Sequence, residues 1–253
     1  MPDHSPALAF ECVTKRFGAT TAVDAVSLDI AGGSFVALVG TSGSGKSTLL
    51  KTINRLIAPS EGSVTIDGSD VATGPAPDLR RRIGYVFQNI GLFPHMTIAE
   101  NIAIGLRIAG RAQDARIDDL LDLVDLPRAI AGRLPDALSG GQRQRVGIAR
   151  ALAPGAKLLL LDEAFGALDP VTRDALGTRI RDLHDRLGLT TILVTHDMAE
   201  ALLLADRVLV MKAGRIVADA TPADLVAGKG GDDAQALVQV PRAQADRLRA
   251  LVA

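Results

Sequence analysis

The sequence lacks several features that are typical of nucleic-acid-binding, disulfide-bonded, secreted or membrane-spanning proteins. Its 28 basic and 29 acidic residues nearly cancel, so it lacks the basic excess typical of nucleic-acid binding, and we expect no nucleic-acid partner. A single cysteine, Cys12, excludes an internal disulfide and is typical of a reducing compartment. The N-terminal residues lack the basic start and apolar core of a signal peptide. The longest apolar runs, such as residues 158–161, fall far short of the roughly 20 residues of a membrane-spanning helix, so we expect a cytosolic chain.

The residues that are present predict an α/β fold with an inserted helical lobe. A chain of 253 residues with 47% apolar content can bury the core of one large domain, with or without an insertion. Near the N-terminus, the alternation in VSLDI (26–30) and SVTIDG (63–68) predicts a half-buried antiparallel layer. From residue 98 to about 126, apolar residues recur three and four apart, which predicts a helical lobe that ends before Pro127.

The second half predicts a parallel sheet and a hairpin. Residues 157–162 and 190–195 are nearly all apolar or β-branched, as in strands buried on both faces. The helix predicted between them has Asp169 as its N-cap, Pro170 at its first position and Gly188 at its end. Residues 207–219 predict a hairpin turning near Gly214. Residues 228–233 predict a flexible linker, and the stretch after them at most a short amphipathic helix.

A phosphate-binding loop is predicted at residues 40–48, GTSGSGKST. The segment fits G-x-x-x-x-G-K-[ST] and lies between a predicted strand (35–39) and a predicted helix (47–56). Its glycines allow a sharp turn that points successive N–H groups at one anion, and Lys46 reaches the outer phosphates while Ser47 binds Mg²⁺. The alternative is a glycine-rich turn with an incidental lysine. The predicted nucleotide contacts are Gly40, Thr41, Ser42, Gly43, Ser44, Gly45, Lys46, Ser47 and Thr48.

An acidic pair ends the buried run LLLLDE. Asp162 is placed to hold magnesium through water, and Glu163 is a candidate base for the attacking water. In isolation, the two acids could equally cap the next turn. Beside a phosphate loop in the same sheet, they predict a nucleotide-hydrolysing site.

The segment LSGGQRQR (138–145) has two readings. Ser139 and Gln142 fit a capping box, so the segment could be an ordinary helix start. However, Gly140 and Gly141 each cost about 1 kcal/mol relative to alanine in a helix, unless the backbone must approach something closely. A helix start with bare N–H groups is a second anion site. Because residues 40–48 already bind one nucleotide, the second site indicates the nucleotide of another chain, and hence a head-to-tail pair that closes over two ATP molecules.

His196 follows the run TTILVT, at the tip of a buried strand where ligands of parallel sheets collect. A histidine there can donate to a γ-phosphate and help to orient water. The alternative is that Asp197 and Glu200 form a local helix start, which His196 simply precedes.

Taken together, these residues resemble the nucleotide-binding subunit of ATP-binding cassette (ABC) transporters, from about residue 8 to 227. The resemblance makes residues 40–48 the Walker A loop, Gln88 the Q-loop glutamine, LSGGQ the signature, LLLLDE the Walker B strand, GALD (166–169) the D-loop and His196 the switch histidine. It implies a P-loop ATPase with a RecA-like core, an inserted helical signature subdomain (about 97–150) and a dimer with two interfacial ATP molecules. It also implies that Gln88 binds magnesium with Ser47 and Asp162, and that Phe17 stacks on adenine, where a core residue at a strand end is the alternative.

A finer resemblance lies in TINRL (52–56) and GYVFQNIGLFPHMTIAENI (84–102), which are similar to importers of quaternary-amine osmoprotectants such as glycine betaine, choline or carnitine. It implies that residues 89–96, from Asn89 to Met96, contact a membrane permease; Leu92, Phe93 and Met96 would suit that contact or would fill the gap between core and lobe. Relatives often have proline at the position of Ala164. Many also carry regulatory CBS modules, which we do not expect in the tail at 228–253.

The resemblance further implies a place and partners for the chain. A second copy, permease subunits and a solute-binding protein would complete the complex at the cytoplasmic face of the membrane. Other readings are a cassette for another solute such as an amino acid, an exporter, a regulatory cassette that only binds nucleotide, or an ABC protein of DNA repair or translation. A repair or translation protein would require a long coiled-coil insertion or a second cassette, and this sequence shows neither. Glu163 and His196 argue against a binding-only role.

Overall fold

The computed structural model describes residues 7–87, 90–111, 116–166 and 168–251. The chain divides into two compact units, one formed by residues 1–73 with 192–253 and the other by residues 74–191. The predicted helical insertion, residues 97–150, lies within the second unit. In chain order, the elements are β1 (Leu8–Phe17), β2 (Thr20–Ile30), β3 (Phe35–Val39), α1 (Lys46–Ile53), β4 (Glu61–Ile66), β5 (Ser69–Asp70), α2 (Ala76–Arg81), β6 (Ile83–Val86), α3 (Ile98–Ile108), α4 (Ile117–Leu123), α5 (Gly140–Leu152), β7 (Leu158–Asp162), α6 (Pro170–Leu187), β8 (Thr190–Thr195), α7 (Met198–Leu204), β9 (Arg207–Lys212), β10 (Arg215–Ala220), α8 (Pro222–Val226) and α9 (Gly231–Ala250).

The first unit contains the predicted antiparallel layer, in the order β2-β1-β4-β5. The alternation predicted for residues 26–30 is confirmed, because Val26, Leu28 and Ile30 are buried while Ser27 and Asp29 are exposed. One face of the layer therefore contributes to the core of this unit, which residues from β3 and α1 complete.

Buried strands run through both units. In the first unit the order is β10-β9-β3-β8, with β9 parallel to β3 and antiparallel to β10, and the predicted hairpin turn at Gly214 is confirmed. In the second unit β7 lies between β6, to which it is parallel, and the first residues of β8. All residues of β3, β7 and β8 are buried, as predicted for strands covered on both faces.

Helix α6 begins and ends as its sequence predicts. The side chain of Asp169 accepts a hydrogen bond from the amide of Thr172, Pro170 occupies the first turn, and Gly188 closes the helix at φ 59°. Leu176, Ile180 and Leu183 are buried on one stripe, whereas Leu187 is half-buried.

The structure divides one predicted helical region and lengthens another. The helical lobe predicted at residues 98–126 contains two helices, α3 and α4, and Gly110, with φ 71° just after α3, ends the first of them. The C-terminal stretch forms a helix of 20 residues, α9, rather than a short one. It packs against α7, α8 and β10 and buries Ala234 and Val238, which gives it the tertiary support that its amphipathic pattern requires.

Candidate functional site

The predicted phosphate loop in the first unit surrounds its lysine. Lys46 is 4% exposed, and its Nζ donates hydrogen bonds to the carbonyls of Gly40 (2.8 Å) and Thr41 (2.9 Å). Gly45 adopts φ 105° immediately before α1, so the chain turns sharply into the helix as the sequence predicts. The loop tip, Thr41, Ser42 and Gly43, is exposed. The incidental-lysine alternative does not explain a buried ammonium at the centre of the loop.

Close contacts explain two of the loop glycines. A Cβ at Gly40 would lie 2.2 Å from the carbonyl oxygen of Met211, and one at Gly45 would lie 2.1 Å from that of Ala22. The turn between β9 and β10 also reaches the loop, because the amide of Gly214 donates to the carbonyl of Ser44 at 3.0 Å. The shape of the loop therefore depends on backbone from β2 and from the β9–β10 hairpin, which the sequence analysis missed.

Phe17 and His196 are the other predicted site residues of the first unit. Phe17 ends β1 and is 50% exposed, with the Lys15 ammonium 5.0 Å from the ring centroid, so it is not the core residue of the alternative reading. His196 is exposed directly after β8. The side chain of Asp197 caps α7 by accepting hydrogen bonds from the amides of Ala199 and Glu200. The helix start of the alternative reading is therefore present, and the cap does not use the side chain of His196.

The acidic pair lies in the second unit, at the end of β7. Asp162 is 4% exposed, and its Oδ2 accepts a hydrogen bond of 2.8 Å from the hydroxyl of Tyr85 on the neighbouring strand β6. Burial and the adjacent Asp162 carboxylate raise the pKa of Tyr85 well above its ordinary value, so the phenol remains a donor at neutral pH. Sequence reasoning missed Tyr85. No local signal marks it, because only the pairing of β6 with β7 brings Tyr85 beside Asp162.

Glu163 has a left-handed backbone, with φ 49°. Such a conformation is uncommon for a residue other than glycine, asparagine or aspartate and costs of the order of 1 to 2 kcal/mol. The half-buried Glu163 is followed by buried Ala164 and Phe165, which hold the turn in place. Backbone strain at a candidate base is the kind of cost that functional sites carry.

The signature segment, also in the second unit, begins α5 with a complete capping box. The Ser139 hydroxyl accepts from the amide of Gln142, and the Gln142 side chain accepts from the amide of Ser139. Neither bond uses the amides of Gly140 or Gly141, so the capping box leaves those two amides available to an anion. The two glycines differ: a Cβ at Gly141 would lie 2.4 Å from Thr172 Cγ2, whereas one at Gly140 would meet only Leu168 Cδ2 at 3.8 Å. Close packing within the chain therefore accounts for Gly141 and not for Gly140.

The described part of the predicted permease-contact segment is held by a buried asparagine and a half-buried arginine of the second unit. Asn101 of α3, fully buried, accepts from the amide of Phe93 and donates to its carbonyl and to the carbonyls of Met96 and Thr97. Arg150 of α5 donates to the carbonyls of Ile90 and Gly91. Phe93 is 41% exposed, whereas Leu92 and Met96 are half-buried. Gln88, Asn89 and Ala167 of the D-loop lie outside the described residues.

A magnesium ion would need phosphate oxygens to complete its coordination. Within residues 7–87, 90–111, 116–166 and 168–251, no group of three or more His, Cys, Asp or Glu side chains could hold a metal. The predicted ligands Ser47 and Asp162 offer hard oxygen atoms, which suit Mg²⁺ bound through one carboxylate and the phosphates of a nucleotide. The side chain of each residue, taken by itself, therefore has the oxygen chemistry that suits magnesium bound with a nucleotide.

Known proteins similar to this chain are ATP-binding subunits of import systems. A model of the ABC transporter family matches residues 23–166. The carnitine transport ATP-binding protein OpuCA of Listeria monocytogenes is 49% identical over 223 residues, 87% of this chain and 56% of that protein. The glycine betaine uptake ATP-binding protein YehX of Escherichia coli is 47% identical over 228 residues, 89% of this chain and 74% of that protein. The sulfate/thiosulfate import ATP-binding protein CysA of Caulobacter vibrioides is 50% identical over 222 residues, 85% of this chain and 65% of that protein.

One solved structure similar to this chain contains a bound nucleotide. The dimeric ATP-binding cassette MJ0796 bound to ADP and Pi is 34% identical, with a TM-score of 0.75, and the alignment covers 85% of this chain and 98% of MJ0796. This chain spans little more than half the length of OpuCA. In the part of the chain that the structure describes, no helix combines the length and apolar character needed to cross a membrane.

Proposed function

Because the chain belongs to the ABC transporter family, we propose that it is the ATP-binding and ATP-hydrolysing subunit of an importer whose solute is an osmoprotectant such as glycine betaine, choline or carnitine. The predicted fold class, a P-loop ATPase with an antiparallel layer and a helical signature region, agrees with this family and is confirmed by it and by the structural relative. The observation that carries the nucleotide-binding part is the buried Lys46 ammonium within a loop in which neither Gly40 nor Gly45 has room for a side chain.

The proposed chemistry assigns one role to each part of the site. Lys46 binds the outer phosphates, which replace the Gly40 and Thr41 carbonyls as partners of its ammonium. Ser47, Asp162 and Gln88 hold Mg²⁺, which neutralises charge on the phosphates when it is bound. Glu163 accepts a proton from the attacking water, and His196 donates to the γ-phosphate. Phe17, half exposed at the end of β1, stacks on the adenine.

The second cassette is proposed to be another copy of this chain. The start of α5, from Ser139 to Gln142, would bind the γ-phosphate held by the second copy. It would do so through the amides of Gly140 and Gly141, which the capping box does not use. Gly140 supports this role, since no contact with the residues that the structure describes requires glycine at that position. The relative MJ0796 is a dimer in its post-hydrolysis state with ADP and Pi.

The membrane and solute partners follow from the family. We place the chain at the cytoplasmic face of the membrane, with permease subunits bound near residues 89–96 and a solute-binding protein in the complete system. OpuCA and YehX favour a quaternary amine. A sulfate importer is the second candidate, because CysA is as similar to this chain as they are. Binding of glycine betaine, choline, carnitine and sulfate to the solute-binding protein encoded beside this chain would separate the two.

Gly140→Asp in a Glu163→Gln background tests the ATP-sandwich dimer. The Glu163→Gln change should reduce hydrolysis by about 10² to 10⁴-fold and keep ATP bound. A carboxylate at the start of α5 favours the helix by about 0.3 to 1 kcal/mol but repels a triphosphate. We therefore expect unchanged or higher thermal stability, while ATP-driven dimerisation in size-exclusion chromatography weakens at least tenfold.

The matched control is Gly132→Asp, which adds the same charge in the same unit at an open position. This variant should dimerise like the Glu163→Gln parent. If Gly140→Asp also dimerises normally with ATP, the helix start does not contact nucleotide. If the Glu163→Gln parent remains monomeric with ATP, even in the presence of its permease, the proposed dimer is wrong.

A further inference from the structure

The docking segment, defined as residues 89–96, is tied to helix α5 by one charged side chain. In the described part of this segment, Arg150 Nη2 donates to the carbonyl of Ile90 at 2.5 Å and Nη1 donates to that of Gly91 at 2.7 Å. Two hydrogen bonds from one planar guanidinium fix both the position and the orientation of the backbone that they hold. The segment thus has a rigid attachment to the last turn of α5, sixty residues further along the chain.

The hydrogen bonds of Arg150 go to backbone carbonyls, and none of those that the structure describes goes to a carboxylate. Burial partly withdraws the guanidinium from water and lowers the pKa of Arg150 below its ordinary value. Placing a charge there costs free energy that a surface arginine does not incur. The contact therefore costs free energy of folding, and its structural effect is to hold the carbonyls of Ile90 and Gly91 in place.

Side-chain packing reinforces the same joint. Ile90 lies against Gly147, one turn before Arg150 on α5, where an added Cβ would come within 2.9 Å of Ile90 Cγ2. The other end of the segment is fixed by Asn101, which binds the backbone of Phe93 and Met96 to α3. Because α3 packs on α5, the segment and these two helices form one block within the second unit.

We infer that Arg150 is a coupling residue, which carries a displacement of the docking segment by a permease along α5 to the helix start at Ser139. This inference rests on the proposed docking of a permease near residues 89–96. The exposed side of the segment, with Phe93 and His95 in an edge-to-face contact at 6.1 Å between centroids, receives the push. Arg150 and Gly147 transmit it to α5 as a whole, since a helix moves along its axis as a rigid element.

The test uses the chain alone and in complex with its permease in lipid vesicles. Arg150→Met removes both hydrogen bonds and keeps the aliphatic length. Arg145→Met is the matched control, because it makes the same charge change on the same helix at a residue that donates to the Asp125 carbonyl instead. The kcat and KM for ATP of the isolated chain should change less than about twofold in both variants. The stimulation of ATP hydrolysis by the permease should fall at least about fivefold in Arg150→Met alone, the lower range of measured allosteric couplings.

Hydrogen exchange gives a second measurement that does not depend on hydrolysis. Amides of residues 90–96 should exchange at least about tenfold faster in Arg150→Met and remain unchanged in Arg145→Met. If Arg150→Met does not fold, Arg150→Lys replaces it: its ammonium reaches one carbonyl rather than two, and it should give intermediate stimulation and intermediate exchange.

The outcomes separate the inference from the function on which it depends. If the permease stimulates the wild type and Arg150→Met equally, Arg150 does not couple them, although the transport function stands. The same holds if Arg150→Lys matches the wild type in both measurements. If the permease does not stimulate the wild-type chain, the proposed docking is wrong and the inference is overturned with it.

Discussion

The packing of Gly141 against Thr172 can be tested by a double-mutant cycle. A Cβ at position 141 would lie 2.4 Å from Thr172 Cγ2, far below any normal contact, but 3.7 Å from Thr172 Cβ and 4.0 Å from its Oγ1. Thr172→Ser removes only the obstructing methyl group. It keeps the hydroxyl and the amide, and that amide donates to the helix cap Asp169. The serine variant should therefore accept an alanine at position 141 that the wild-type chain does not.

The expected free energies follow from two opposing effects. Alanine is favoured over glycine in a helix by about 1 kcal/mol, whereas forcing a methyl into a filled space costs about 1 to 3 kcal/mol. Gly141→Ala alone should therefore lower the free energy of unfolding by up to about 2 kcal/mol. In the Thr172→Ser background, it should leave that free energy unchanged or raise it by up to about 1 kcal/mol. The coupling between the two changes is then about 1 to 3 kcal/mol.

Urea unfolding followed by far-ultraviolet circular dichroism suits this protein, which has no tryptophan. The adjacent Gly140→Ala is the control, since its Cβ would meet Leu168 Cδ2 at 3.8 Å and nothing of Thr172. It should show no coupling to Thr172→Ser. A coupling below about 0.5 kcal/mol for Gly141→Ala with Thr172→Ser would refute the packing argument, because such values are found for independent sites.

Two further predictions concern polar groups of the second unit. Tyr85→Phe should lower the free energy of unfolding by about 1.5 to 3 kcal/mol in urea unfolding, because the buried Asp162 carboxylate loses a hydrogen bond; an unchanged value would contradict that contact. The Thr172 amide holds the pKa of Asp169 below its ordinary value of 3.8, so the capping bond stabilises the fold above that pH and the stabilisation is lost as the pH falls through the lower, folded-state pKa. Asp169→Asn should therefore flatten the acid limb of unfolding free energy measured from pH 7 down to pH 3, and an equally steep limb would contradict the sign.

Local signals in the sequence were sufficient for some parts of this protein and not for others. The ends of α6 were predictable because Asp169, Pro170 and Gly188 act on their own neighbours. The phosphate loop was predictable for the same reason, since its function requires a fixed local spacing. The break at Gly110 was missed because the apolar spacing continues across it, and one glycine in a helical pattern is a weak signal.

The partners of Tyr85, Asn101 and Arg150 could not be predicted in this way. Tyr85 meets Asp162 only because β6 and β7 pair in one register, and Arg150 meets Ile90 only because α5 packs where it does. These contacts depend on tertiary placement that periodicity does not encode. The left-handed backbone of Glu163 is similar, since a glutamate gives no local indication of a positive φ.

The hydrogen bond from the Gly214 amide to the Ser44 carbonyl affects when the lysine loop can take its final shape during synthesis. The two residues are about 170 positions apart, and so are Gly40 and Met211, whose carbonyl lies against Gly40. At ribosomal rates of about 5 to 20 residues per second, the hairpin emerges roughly 10 to 30 seconds after the loop that it supports. A nascent chain therefore exposes its lysine loop without this support for that interval, and the loop reaches its final shape only after the β9–β10 hairpin has emerged.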